Sequence, residues 1–373
     1  MPTPIDPLAS TLACFVERLQ PADVPPAVVA RASHLLLDAI GCGLAARRED
    51  FASRCVEAIE ALAAADQRPA AGVPVLGFAR RLPLRDAMLA NGILCHGLDY
   101  DDTHIGGVVH LTVAIAPAVL ALASHRKLSG RDALTAYIAG IEAGARIAAL
   151  ASGGFHANGF HPTGVVGAFA SALACGKLMG LDAAGLLRAQ GMALSFASGS
   201  LQFLDDGAWT KRFHPGWAAQ AGYQAAHFAA QGIPAPLAPL SGRFGLYANY
   251  LDDTTMPSGA LLTAMPGIHS DGRIDDWELP QVAIKPFPLC HLTHASADAA
   301  IALREAGVAL ESAAAIASIE RIEVRIPAGT MPVIGAPQPA KRRPQSDYEA
   351  KFSVHYAVAV SYTHLTLPTK RIV

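Results

Sequence analysis

Asp86-Ala87-Met88-Leu89-Ala90-Asn91-Gly92-Ile93-Leu94 runs into Gly97-Leu98-Asp99-Tyr100-Asp101-Asp102-Thr103-His104, and after His110 the chain is apolar again from Val113 to Ala123. Alanine-rich apolar sequence on both sides of an acidic knot predicts helix, polar loop, helix. Carboxylates packed this closely repel one another unless water, a cation, hydrogen bonds or shared protons relieve them. Asp99 and Thr103 stand four apart, on one face if the segment is helical, with Asp102 beside them. A solvated helix end would also tolerate such a run. The hydrophobic anchoring on both flanks, and the imidazoles of His104 and His110, argue against a plain exposed loop.

Helical spacing continues outward from this segment. Val28 to Ala46 repeats apolar residues at threes and fours (Val29, Leu36, Leu37, Ile40), with Pro25-Pro26 as its starter. Gly130 to Ala149, Pro162 to Leu178, Ala183 to Leu204 and Gly216 to Ala230 behave alike. After about Pro266 the character changes. Pro280 to Lys285 looks extended, and Ile319-Glu320-Arg321-Ile322-Glu323-Val324-Arg325-Ile326 alternates apolar with charged residues as a half-buried strand should. His294 to Ala306 between them reads as a helix. The expected fold is therefore mainly α: an all-helical domain over 1–265, a smaller α+β lid domain over 266–348 with a cleft between the two, and a helix over 349–360 returning to the first domain. Residues 361–373 break with everything before them; they are read as a truncated or non-native tail and left out of the functional argument.

Composition narrows the function classes. Of 373 residues, 52% are hydrophobic and only 16% charged, with a net charge of −2, which describes a large apolar core and no basic run for nucleic acid or a membrane surface. Weak charge and high apolarity also suggest a surface covered by another subunit. Met1-Pro2-Thr3-Pro4-Ile5-Asp6-Pro7 lacks the basic and apolar regions of a signal peptide. The longest apolar run, around Leu111 to Ser124, is too short to span a bilayer and contains Pro117. Cys14, Cys42, Cys55, Cys95, Cys175 and Cys290 form no C-x-x-C pair and read as reduced thiols of a cytoplasmic protein.

Three segments share one design. Gly159-Phe160-His161-Pro162-Thr163-Gly164 sets a His before a Pro that suits a first helical turn; Lys211-Arg212-Phe213-His214-Pro215-Gly216 repeats it with two cations attached. The third, Lys285 to His294 with Cys290 and His291, precedes the helix expected near Thr293. Helix starts favour an anion and disfavour a charged imidazole, so His161 is expected neutral and able to take a proton. Each segment alone could be a capped helix with a structural His. Together, with Lys211, Arg212 and Lys285, they suggest convergence on a small polyanion. Proton abstraction beside a carboxylate needs a base, cations for the developing dianion, and an acid for the leaving group, and all three types are present. No Walker A, dinucleotide-binding or G-x-S-x-G pattern appears. His96, Asp99, Asp101, Asp102, His104 and His110 could instead hold a divalent metal, although they match no known ligand spacing. Cys290 beside His291 could be a nucleophile, but a structural thiol suits it better.

At these residues the sequence resembles the MmgE/PrpD family, which includes 2-methylcitrate dehydratase and cis-aconitate decarboxylase. The resemblance runs from about Val24 to Val360. It is carried by Leu36 to Gly41, Asn91 to Thr103 with His110, Gly159 to Gly164, Lys211 to Ala219, Lys285-Pro286-Phe287-Pro288 with His291, and Glu349 to Ser353. It implies a helical domain with an α+β lid, a dimer, and an active site between the domains that needs no metal or cofactor. Carried over by motif, Asp99, Thr103, His110, His161 and Lys211 line that site, with Lys285 and His291 from the lid. His110 and His161 are then assigned to proton transfer. Lys211 and Lys285 clamp carboxylates, with Arg212 and His214 as neighbouring substrate-binding groups. Asp99 and Thr103 orient a His or a substrate hydroxyl, and His291 is a second acid or a carboxylate ligand. The resemblance also departs in two respects: cis-aconitate decarboxylases carry a lid tyrosine, whereas this chain has no Tyr between Tyr250 and Tyr348, and members of the family are expected to continue past the point where Ser361 to Val373 break the pattern.

The expected function is a cofactor-independent lyase acting on a small di- or tricarboxylate, by dehydration of a 2-methylcitrate-like hydroxy acid. Isomerisation, epimerisation or decarboxylation of a related polycarboxylate is the near alternative. A metal-dependent hydrolase built on the His/Asp cluster, or a non-catalytic truncated helical dimer, are the alternatives of other classes.

Overall fold

The computed structural model describes residues 5–65, 72–259, 261–306, 313–336 and 338–363. Its chain divides into two compact units: residues 1–201 with 209–284, and residues 202–208 with 285–373.

The first unit is built from helices α1 (Pro7–Arg18), α2 (Pro26–Ala46), α3 (Asp50–Ala65), α4 (Leu84–His96), α5 (Thr112–Arg126), α6 (Gly130–Ala151), the single turn α7 (Gly154–Ala157), α8 (Pro162–Met179) and α9 (Ala183–Leu194). After the residues that belong to the second unit, where α10 (Phe203–Asp206) lies, it continues with α11 (Thr210–Ala230) and α12 (Leu246–Tyr250). Sequence chemistry sets the starts. Asp6 accepts from the Leu8 and Ala9 N–H groups at the head of α1, and its second oxygen accepts from Leu240 and Ser241, so one buried carboxylate ties two distant segments. Ser129 and Asp182 cap α6 and α9 in the same way.

Helix α8 is the hub: every residue except Lys177 and Met179 is buried, as expected of a helix that is apolar all round. It packs against α5, α6, α9 and α11. By length and composition alone α2, α6 and α8 are long and apolar enough to cross a membrane, which the run-length reading missed. For α6 and α8 the protein's own core accounts for that apolarity, since almost all of each is buried.

Strand content is slight. β1 (Val73–Pro74) pairs with β2 (Arg81–Leu82), and β3 (Thr103–His104) pairs antiparallel with β4 (Val282–Ala283), Thr103 opposite Ala283. The second pairing belongs to a segment expected in the other domain. Residues 266–284 join the first unit because Met265, Ile268, Leu279 and Val282 are buried in its core. Glu142, fully buried on α6, accepts from the Glu278 and Leu279 N–H groups at 3.0 and 2.7 Å. The boundary expected at 265 therefore falls at 284.

The second unit carries α13 (His294–Glu305), α14 (Ala313–Ala317), α15 (Gln338–Arg342), α16 (Asp347–Lys351) and α17 (Val354–Thr363). Leu289 and Ala357 pack with Phe287 and Val360, and Phe203 meets Phe352 edge to face. Helix α17 packs on α13 within this unit, where a return to the first domain was expected. Ile319 to Ile326 is no strand: it is irregular, with Ile322 and Val324 exposed. Alternation makes a strand only when a neighbour supplies the ladder and covers the apolar face, and among the described residues no strand pairs with it. Of the strands expected in the α+β lid only β4 forms, and it pairs within the first unit; the described residues of the second unit hold helices and irregular chain. The tail reading of 361–373 falls mostly outside them; residues 361–363 continue α17.

Candidate functional site

Three short stretches of the first unit meet around the acidic loop. Helix α4 ends at His96, and the loop from Gly97 to Leu111 carries Asp99, Asp101, Asp102, Thr103 and His110. The start of α8 brings His161 and Thr163; the first turns of α11 bring Lys211, Arg212 and His214. What allows this approach is small residues. A Cβ on Gly92 of α4 would lie 2.4 Å from the Gly216 Cα of α11, and one on Gly216 would lie 2.3 Å from the Leu89 carbonyl oxygen. The loop itself is tightly bent, with Asp99 and Val108 in left-handed backbone at φ 52° and 49°. Asp accepts that conformation; for β-branched Val108 it is strained.

The acidic knot is relieved from within. The Lys211 ammonium donates to Asp99 Oδ1, both groups being nearly fully buried. His96 Nδ1 sits 2.9 Å from each oxygen of Asp101, which fixes its hydrogen on that nitrogen. Asp102 accepts from Thr112 Oγ1, which is 2.7 Å from the buried Tyr137 hydroxyl, and burial pushes the Asp102 carboxyl up to about 8. His104 accepts from the Gly107 N–H on Nδ1 and so donates from Nε2 to Glu278 at 3.0 Å, a structural clasp. That hydrogen bond is the main reason Glu278 titrates low.

His110 has its tautomer set by the backbone. Its Nδ1 is 2.7 Å from the Asp102 carbonyl oxygen, an acceptor only, with Thr103 Oγ1 at 3.2 Å and Asp101 Oδ2 at 3.5 Å on the same edge. The hydrogen is therefore on Nδ1 and the lone pair on Nε2. Its main-chain N–H donates to Thr163 Oγ1 at 3.1 Å, which joins the loop to the start of α8.

His161 is the N-cap residue of α8 with Pro162 in the first turn, as expected. Its N–H donates to the Gly199 carbonyl at 2.9 Å. That partner exists because α9 stops at Leu194 rather than Leu204, and the irregular stretch after it bridges Phe160 to Ser200. Five imidazoles gather here: His161 lies 5.7 Å from His96, 6.0 Å from His110, 6.3 Å from His156 and 5.1 Å from His214, centroid to centroid. His161 is held well below the usual imidazole range by burial first and the Lys211 charge second. Burial likewise lowers His96, takes His156 down to about 4 and His214 to about 3, with Lys211 contributing to each. The neutrality expected of His161 is present, but burial is its leading cause rather than the helix start.

Asp99, Thr103, His110, His161, Lys211 and His214 are thus brought together. Two expectations about the third stretch change. Pro215 is not at a helix start: α11 begins at Thr210, and the proline sits inside, where the only hydrogen bond it forfeits is one to the Lys211 carbonyl. Arg212 is committed to the fold, its Nε donating to the Gly97 carbonyl at 2.9 Å and its guanidinium 4.2 Å over the Phe51 ring. Lys285 and His291 belong to the second unit, where Lys285 is buried and His291 stacks on His294 at 4.8 Å. Cys290 is buried there and its N–H donates to the Lys351 carbonyl, consistent with a structural thiol; none of the six cysteines forms a disulfide. Sequence reasoning missed His156 and the Asp102–Thr112–Tyr137 chain. The spacing of His156 five residues before His161 was the only available signal.

Among the described residues one cluster could hold a metal cation: ligand atoms of His96, Asp99 and Asp101 lie within 4.8 Å of one another. The ammonium already on Asp99 and the hydrogen on His96 Nδ1 would both oppose a metal there.

Comparison with known proteins agrees with the geometry's composition. The MmgE/PrpD N-terminal domain matches residues 10–258, and the MmgE/PrpD C-terminal domain matches residues 287–369. A cis-aconitate decarboxylase-like protein, oryM, of Aspergillus oryzae is 32% identical over 238 residues, covering 62% of this chain and 48% of that protein. The cis-aconitate decarboxylase of Homo sapiens is 30% identical over 94% of this chain and 69% of its own length; that of Aspergillus terreus is 28% identical over 95% and 71%. The chain thus spans about half the length of the first relative and about seven-tenths of the other two.

Proposed function

The chain belongs to the MmgE/PrpD family, and from that premise we propose that it is a lyase acting on a small di- or tricarboxylate by proton transfer at a carbon next to a carboxylate. The observation that carries this is the buried Lys211 ammonium among imidazoles held neutral, with His110 presenting a lone pair on Nε2. Neutral imidazoles accept protons; a buried ammonium stabilises the enediolate that proton loss creates. An ammonium is a multiple N–H donor with a full positive charge, and Lys211 places one beside Asp99 in this cluster, where it would attract a substrate carboxylate. The negative charge of that substrate offsets the Lys211 field and raises the basicity of His161. For Lys285 and His291, carboxylate binding and acid catalysis rest on the sequence resemblance alone.

Within that class we favour dehydration of a 2-methylcitrate-like hydroxy acid, because no Tyr occurs between Tyr250 and Tyr348, where the decarboxylase tyrosine would be sought. Decarboxylation is the second reading, favoured by the names of the relatives. The test is incubation in D2O with 2-methylcitrate, citrate and cis-aconitate, with and without EDTA, followed by NMR. The proposal expects water loss from the hydroxy acid and deuterium beside a carboxylate, both indifferent to EDTA. Carbon dioxide release from cis-aconitate would favour the second reading. Activity lost to EDTA and restored by a divalent cation would move the site to metal chemistry on His96, Asp99 and Asp101.

A further inference from the structure

His161 and His214 meet edge to edge, Nδ1 to Nδ1 at 2.9 Å, with their ring planes 46° apart. Only one hydrogen fits between two such nitrogens, so one ring donates and the other accepts. Both rings are fixed in place: His161 as the N-cap of α8 with its N–H on Gly199, His214 inside α11 where its Cβ lies 3.2 Å from the Cβ position of Gly164. A substrate-binding group, the role expected of His214, would use a nitrogen facing substrate, whereas its Nδ1 faces another imidazole.

We propose that His214 and His161 form one proton-carrying unit, in which the hydrogen between their Nδ1 atoms crosses when a proton arrives at Nε2 of His161. The proposal rests on the reading of His161 as proton acceptor. With the hydrogen on His161 Nδ1, the Nε2 lone pair takes the substrate proton, and the electrons of the broken C–H bond stay on the substrate as an enediolate. The His161 Nδ1–H bond then breaks as a bond forms to His214 Nδ1. His161 is left neutral with its hydrogen on Nε2, now a donor, and His214 carries the charge. When that Nε2 hydrogen goes to the departing hydroxyl, forming water, the shared hydrogen returns to His161 Nδ1 and the starting state is restored. One ring serves as base and then as acid without moving. Both rings are buried enough to be held neutral at rest, so the charge is transient.

The test compares His214→Asn, which keeps an amide near the Nδ1 position but cannot take a proton, with His214→Phe, which removes both functions. His161→Gln is the control. The proposal expects His214→Asn to lose at least about 100-fold in kcat with little change in KM, as severely as His214→Phe. Wild-type kcat in His214→Asn would reduce His214 to an orienting group and overturn the proposal. Full activity in His161→Gln would instead overturn the proton-acceptor reading beneath it. A measurement on the unmutated protein stands apart from folding of the variants: 15N NMR at neutral pH should show one Nδ1 of the pair protonated and the other bare. Two protonated Nδ1 atoms would contradict a shared hydrogen.

Discussion

Because the Lys211 ammonium donates to Asp99 while lying beside His96, His156, His161 and His214, its charge acts on the whole site at once. Removing it should have two separable effects. Lys211→Met leaves the Asp99 carboxylate buried without its cation, a loss of about 3–5 kcal/mol by chemical denaturation, and Asp99→Asn in the same chain should recover part of it. The same substitution should raise His156 from about 4, read by NMR titration, since Lys211 is the second cause of its depression after burial. An unchanged His156 would mean the ammonium does not govern these rings. At this scale the residue types were legible: Asp99, His110, His161 and Lys211 stood out as an acid, two bases and a cation. Their pairing was not, because Lys211 and Asp99 are 112 positions apart and only the crossing of two helices joins them. Arg212 shows the converse, a cation beside a motif whose partner is a helix-end carbonyl.

Helices α4 and α11 can cross closely because glycine faces glycine. Gly92→Ala puts a methyl 2.4 Å from backbone that has no rotamer to yield, so it should destabilise by about 1–3 kcal/mol and loosen the Lys211–Asp99 pair. Gly41→Ala in α2 is the matched control: nothing lies within 4 Å, and a helix interior prefers alanine by about 0.5–1 kcal/mol. Equal effects at both positions, measured by denaturant titration, would refute the close-packing argument. Long apolar helices were legible from spacing because burial on all sides leaves an unambiguous pattern. Two errors have a physical source. Periodicity carried α9 on to Leu204, although the chain leaves the helix after Leu194 to supply the carbonyl that holds His161. Alternation made Ile319 to Ile326 a strand, although a strand is a property of a pair.

Across the molecule, the same burial that tunes the site ties stability to pH. His96, His156, His161 and His214 are lowered in the folded chain, so below about 6.5 the unfolded chain binds more protons and stability falls as pH falls. Asp102, raised to about 8, and Glu142, also raised, act in the opposite sense. They favour folding most at low pH and lose that contribution as pH rises, Asp102 until about 8. Below about 6.5 the lowered imidazoles, His355 among them, outweigh the raised carboxyls, and from there to about 8 Asp102 acts to lower stability. Melting temperature should therefore peak near pH 6.5 and decline towards 8, and Asp102→Asn should flatten the decline; a curve still rising from 6.5 to 8 would contradict this. The boundary at 284 was not legible, since residues 266–284 join the first core through buried Ile268, Leu279 and Val282 and through Glu142, all contacts between positions far apart in sequence. The central claim is proton transfer at a carbon beside a carboxylate, and solvent exchange reads that event without requiring net turnover. In D2O with a 2-methylcitrate-like acid, the protein should place deuterium at that carbon, and His161→Gln should not; no deuterium with any di- or tricarboxylate, or equal incorporation by the variant, would contradict the account.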